Sequence, residues 1–94
     1  MRGGQVGAIV QAFRIRDRGV VVVLDTQTSH LPPSLKLLIG QPLELRSTAD
    51  RWPTILRGIE MADPYRADRP LALFLPADLT AEQLAPGTEV WTLR

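Results

Sequence analysis

The stretch Thr54-Ile55-Leu56-Arg57-Gly58-Ile59-Glu60-Met61 is β-favouring in composition but does not alternate cleanly. Successive side chains of a strand point to opposite faces. Strict alternation would put Ile55, Arg57, Ile59 and Met61 on one face, with an arginine among core residues, which is costly unless the charge is paired. One extra residue at Arg57-Gly58, as a β-bulge, resets the parity. Thr54, Leu56, Ile59 and Met61 then face inward, while Ile55, Arg57 and Glu60 face outward. Glycine tolerates a bulge backbone and lets the strand bend. The fault therefore predicts a curved sheet that closes on itself. It makes Glu60 an outward residue paired with an arginine rather than a catalytic one.

The flanking segments fit that sheet. Over residues 5–15, Val6, Ala8, Val10 and Ala12 alternate with Gly7, Ile9, Gln11 and Phe13, which reads as a long strand with a mixed second face. Arg16-Asp17-Arg18-Gly19 is a turn, with Asp17 a turn former and Gly19 free to take positive φ. The valines at 20–23 begin a second strand, because Cβ branching suits a pleated surface. Pro32 and Pro33 forbid a regular element around them. A helical turn is expected near residues 34–40, then a short strand with Leu43 and Leu45 inward and Glu44 and Arg46 outward. Residues 47–53 read as a polar turn carrying Trp52-Pro53, and residues 62–70 as a proline-bounded loop. Residues 71–76 read as a buried strand. Residues 77–87 carry a helical-turn signature with Asp78 or Thr80 as cap and Gly87 as stop. Residues 88–94 form a terminal strand containing Trp91, expected in the core or at a barrel mouth. The expectation is one all-β domain over residues 1–94, with residues 1–4 frayed. It is a small closed antiparallel β-barrel of six to seven strands with one or two single-turn helices.

Composition narrows the function classes. The chain has 94 residues, a net charge of +1 and no cysteine, so disulfides, cysteine-type zinc sites and thiol nucleophiles are excluded. The first residues are too polar for a signal peptide or membrane span, so a cytoplasmic protein is expected, without a membrane partner. Ten of the eleven basic residues are arginine. That bias matches the codon usage of a GC-rich genome and also suits bidentate contacts to phosphate or carboxylate.

Four motifs, in order, are similar to those of the second domain of translational GTPases such as elongation factor Tu. They are the hairpin of residues 13–23, the turn and strand of 35–45, the Leu56-Arg57-Gly58-Ile59-Glu60-Met61 strand, and residues 71–90. Together they span about residues 5–94. The resemblance implies a closed antiparallel barrel used as a stand-alone binding module. No Gly-x-x-x-x-Gly-Lys-Ser/Thr loop is present, so no GTP binding is expected. The family's gly-asp-asn stretch has no evident counterpart here, and Pro76-Ala77 stand where a basic residue is expected. The resemblance therefore implies the fold without the site that holds the tRNA end.

Catalysis lacks a constellation. His30 stands beside Ser29 with no orienting third group. Glu44, Glu60, Asp63 and Asp68 could share a side of the barrel, but solvated strand faces and turns account for them. No cofactor or metal is expected. Arg14, Arg16 and Arg57 are candidates for contacting a single strand of RNA, if aromatics lie near to stack on bases. Against this, Asp17, Glu60 and Asp68 are interleaved and could pair with them. Trp52, Arg51 and Tyr65 are candidates for a protein partner, tryptophan and arginine being enriched at interface hot spots. Two readings follow, a non-enzymatic module bound to RNA or a ribosomal surface, and a protein-interaction subunit. Homo-oligomerisation stays open. A third reading, a small carboxylate enzyme, needs Glu44, Glu60 and Asp63 to converge in a pocket.

Overall fold

The valine run forms the centre of the fold. A computed structural model describes residues 4–27, 37–60 and 69–93, with Glu60 described by its backbone alone. Strand β1 (Gln5–Ile15) and strand β2 (Gly19–Gln27) make the expected hairpin. Then follow β3 (Pro42–Arg46), β4 (Arg51–Ile55), β5 (Gly58–Glu60), β6 (Pro70–Leu75) and β7 (Glu89–Thr92). All pairings are antiparallel, in one seven-stranded sheet of order β4-β3-β7-β1-β2-β6-β5. The chain is all-β.

One face of the curved sheet supplies the core. Val20, Val22 and Leu24 of β2 meet Leu43 and Leu45 of β3, Leu71, Leu73 and Leu75 of β6, and Val90 of β7. The inward leucines of β3 stand as expected, at 0% exposure. Leu79 and Leu84 join from the segment between β6 and β7. Burying each such side chain contributes about 1.5–3 kcal/mol.

The stretch at 54–60 differs from a single bulged strand, and Met61, expected inward, lies outside the described residues. Its parity does reset, with Leu56 buried, Ile59 packed on the core, and Ile55 and Arg57 exposed. The reset occurs because the chain changes edges. β4 ends at Ile55 and β5 begins at Gly58, and these are the two outermost strands of the sheet. Leu56 N–H donates to Gln41 O (3.0 Å) and Leu56 O accepts from Gly40 N (2.6 Å), on the β3 side. Arg57 N–H donates to Phe74 O (2.8 Å), on the β6 side. The chain thus passes from the β3 side of the sheet to the β6 side within one dipeptide. Gly58 is not required for it, since a Cβ there would sit 3.6 Å from the Phe74 Cβ, an ordinary contact.

β1 is where the alternation fails. Its register slips against β7 between Gln5 and Gly7, and against β2 between Ile9 and Gln11. Val6 and Ile9 are consequently both inward, at 2% exposure, while Val10 is turned out at 55%. Gly7 makes the first irregularity workable. A Cβ on it would lie 2.4 Å from Thr26 Oγ1, and that hydroxyl donates to Val6 O (2.7 Å) while Asp25 Oδ1 accepts from Ala8 N (2.9 Å). Side chains of β2 stand in for the ladder where the backbone diverges.

The segment before β7 forms turns rather than a helix. Leu84 N–H reaches Thr80 O (3.1 Å), closing a single helical turn. Thr80 is the cap: its Oγ1 accepts from Gln83 N (3.3 Å), and Gln83 Oε1 accepts from Thr80 N (2.9 Å). This is the reciprocal capping box. The helical turn expected near 34–40 lies partly outside the described residues. No helix among the described residues is long and apolar enough to cross a membrane.

Candidate functional site

The three candidate arginines gather at one end of the sheet without forming one patch. Arg14 lies at the end of β1 opposite Val20, which in turn faces Leu75 of β6. Arg57 sits one step from that row, across β2 and β6 from Arg14. Arg14 is already engaged, its guanidinium donating to Leu79 O (2.5 Å) and Ala77 O (3.3 Å). It ties the segment after β6 to β1 and is a structural residue. Arg16 and Arg18 stand exposed in the hairpin turn with Asp17 between them, at φ 61°. Among the described residues, neither they nor Arg57 form an ion pair. The side chains of Glu60 and Asp68 lie outside the described residues.

Trp52 does not wait in a loop. It belongs to β4, opposite Leu45, half-buried and packed against the core. Residues 51–53 are thus strand and not the expected turn; Pro53 lacks an N–H donor, but β4 is an edge strand where that lack is tolerated. Arg51 is exposed at the start of β4, with Nη1 4.0 Å from Glu44 Oε1. Tyr65 lies outside the described residues, as do His30, Ser29 and Asp63. Glu44 is held by Arg46 (2.6 Å). Among the described residues no three His, Cys, Asp or Glu side chains gather to hold a metal.

Trp91 corrects the sequence reading in the other direction. Register places it opposite Glu44 on the outer face of the sheet. The Arg46 guanidinium carbon lies 4.1 Å from its ring centroid, and its Nε1 donates to Glu89 Oε1 (2.9 Å). Glu44, Arg46, Glu89 and Trp91 thus cover each other. Their i, i+2 spacing on β3 and β7 is legible, but the pairing of those strands is not.

The surface that sequence reasoning undervalued is the turn before β3. Leu38 and Ile39 are 64% and 75% exposed, the most exposed of the large apolar side chains described. The turn carrying them is well tied. Gln41 N–H donates to Leu38 O (3.0 Å), Leu38 N–H donates to the Gln41 side-chain oxygen, and Gly40 N–H donates to Leu56 O. Ile55, 42% exposed and opposite Pro42, stands beside it. No family model, curated protein or solved structure matches the chain.

Proposed function

We propose that the chain is a non-enzymatic binding module whose partner is a protein, docked on the surface of Leu38, Ile39 and Ile55. The supporting observation is that two large apolar side chains are held out on a turn fixed by backbone hydrogen bonds. A flexible loop would lose entropy on docking, and a preformed turn loses less. Contiguous exposed apolar surface of this kind marks interaction sites in soluble proteins. The scaffold reads as a translation-factor domain 2-like barrel acting in the cytoplasm, with no catalytic role.

The test is affinity capture from native cell extract, with and without nuclease, using the wild-type chain and a Leu38→Asp/Ile39→Asp variant. One defined protein, retained after nuclease and lost with the variant, is the expected result. Partners that vanish on nuclease treatment and ignore the variant would sink the proposal. A second reading, RNA binding, rests on Arg16, Arg18 and Arg57 having no ion pair among the described residues. The engagement of Arg14 and the presence of Asp17 weigh against it.

A further inference from the structure

β1 is partnered unequally on its two sides. Toward β2 it is laddered from Ile9 to Ile15. Toward β7 the ladder stops at Ala8, opposite Glu89. Ile9 closes it, donating from its N–H to Thr88 O (2.8 Å) and accepting at its carbonyl from Gly87 N (2.8 Å). Beyond that point residues 10–15 meet no strand on this side among the described residues.

The backbone directions follow from the register. Ile9 points its polar groups toward β7, whereas Ile15 O accepts from Arg18 N (3.1 Å) across the hairpin. Simple alternation would turn Ile15 the same way as Ile9, and the register shift between Ile9 and Gln11 inverts it. Ala12 and Arg14 therefore carry their N–H and C=O groups outward on the unpaired edge. Beside it runs an apolar groove of about 440 Å³. Val20 and Leu84 line its buried side, and Ala81, Ala85 and Pro86 its open side.

We infer that this edge takes up an extended peptide as an added antiparallel strand, apolar at alternate positions and acidic at its N-terminal end. Strand addition draws affinity from main-chain hydrogen bonds and specificity from alternate side chains. An antiparallel guest continues the line of β7, and Gly87 and Thr88 limit it to about six residues, or about 20 Å. Its N-terminus then meets the Ile15 end of β1, where Arg16 and Arg18 are exposed with Asp17 between them. A second copy fits this charge poorly, because residues 10–16 carry two arginines and no acid. β7 lies between β1 and β3, the strand that the Leu38–Ile39 turn leads into, so the two surfaces are separable.

The probe is a fluorescein-labelled peptide of sequence Asp-Glu-Val-Thr-Val-Thr-Val-Thr. Two controls accompany it, one N-methylated at alternate residues and one beginning Lys-Lys. Binding is read by anisotropy, and protection of individual amides by NMR hydrogen exchange. The acidic peptide is expected to bind and to slow exchange at Ala12 and Arg14. N-methylation, by removing two or more hydrogen bonds, weakens binding about tenfold or more. Arg16→Glu/Arg18→Glu is expected to reverse the preference between the acidic and basic peptides. Equal binding of the N-methylated peptide, or no protection at Ala12 and Arg14, overturns the inference. Concentration-dependent protection of these amides without peptide assigns the edge to a second copy and overturns the peptide occupant.

Discussion

Leu56 and Arg57 are neighbours in the chain, yet their amides serve opposite edges of the sheet. Leu56 N–H donates to Gln41 O beside β3, and Arg57 N–H donates to Phe74 O in β6. No ladder links β4 directly to β5 among the described residues, and this pair is where the chain passes from one outer strand to the other. Leu56 is also 0% exposed and anchors the junction in the core. Leu56→Ala should therefore lower stability by about 2–5 kcal/mol, the range for a buried leucine. Arg57→Ala, at an exposed side chain, should stay within about 0.5 kcal/mol. Urea unfolding of both variants measures the contrast.

The glycines divide by what a side chain would meet. A Cβ on Gly19 would lie 2.3 Å from Leu75 O, and its φ is +150°. At Gly58 the nearest neighbour is an ordinary 3.6 Å away. Gly19→Ala should cost more than about 1 kcal/mol, whereas Gly58→Ala should be neutral or slightly stabilising, within about 1 kcal/mol. Thermal melts of the two variants, side by side, decide whether the residue that looks special in the sequence is the one the fold needs.

Gly7→Ala should act through the Thr26 hydroxyl, nineteen residues away. The added methyl displaces Thr26 Oγ1, which then releases Val6 O. Amide exchange near Val6 and Ala8 should accelerate. Thr26→Val should reproduce part of that change with Gly7 intact, at a cost of about 1 kcal/mol.

Thr80→Ala removes one half of the capping box with Gln83 and should cost about 0.5–2 kcal/mol. Thr80→Ser should retain most of the stability. Because Leu79 and Leu84 flank this turn and are buried, the loss should appear in global unfolding rather than as local fraying alone.

Arg46→Ala should expose the Trp91 ring to water and remove its cation–π partner, costing about 0.5–1 kcal/mol. Tryptophan fluorescence should shift to the red and become more accessible to acrylamide. An unchanged spectrum would show that Arg46 does not cover the ring in solution.

Much of the fold was legible where a side chain's neighbours are near in sequence. The β1–β2 hairpin, the inward Leu43 and Leu45, and the sides taken by Leu56 and Arg57 all came from local pattern and turn chemistry. What escaped depends on distant partners. The slips in β1 rest on Asp25 and Thr26, whose side chains bond backbone seventeen and twenty residues away. Trp52 is in a strand because β4 is an edge that tolerates Pro53, and edge position is a property of topology. Trp91 faces outward because Arg46 and Glu89 cover it there. Of the candidate site, Arg16 and Arg57 are exposed, Arg14 is consumed by backbone carbonyls, and the local pattern at residues 34–40 marks a turn without telling which of its apolar side chains stay uncovered.

The meeting of β1 with β7 sets an order of events for synthesis. Gly4 and Thr92 exchange backbone and hydroxyl hydrogen bonds across eighty-eight residues of chain. β7 is also the strand that fills the gap between β1 and β3. Until Glu89–Thr92 has been made, both neighbours have a bare edge, and the hairpin of β1 and β2 meets that of β3 and β4 only through the Leu56–Arg57 junction. Completion of the sheet thus waits on β7, and before it is in place the facing margins of β1 and β3 are unpaired edges of the kind that invite wrong pairing.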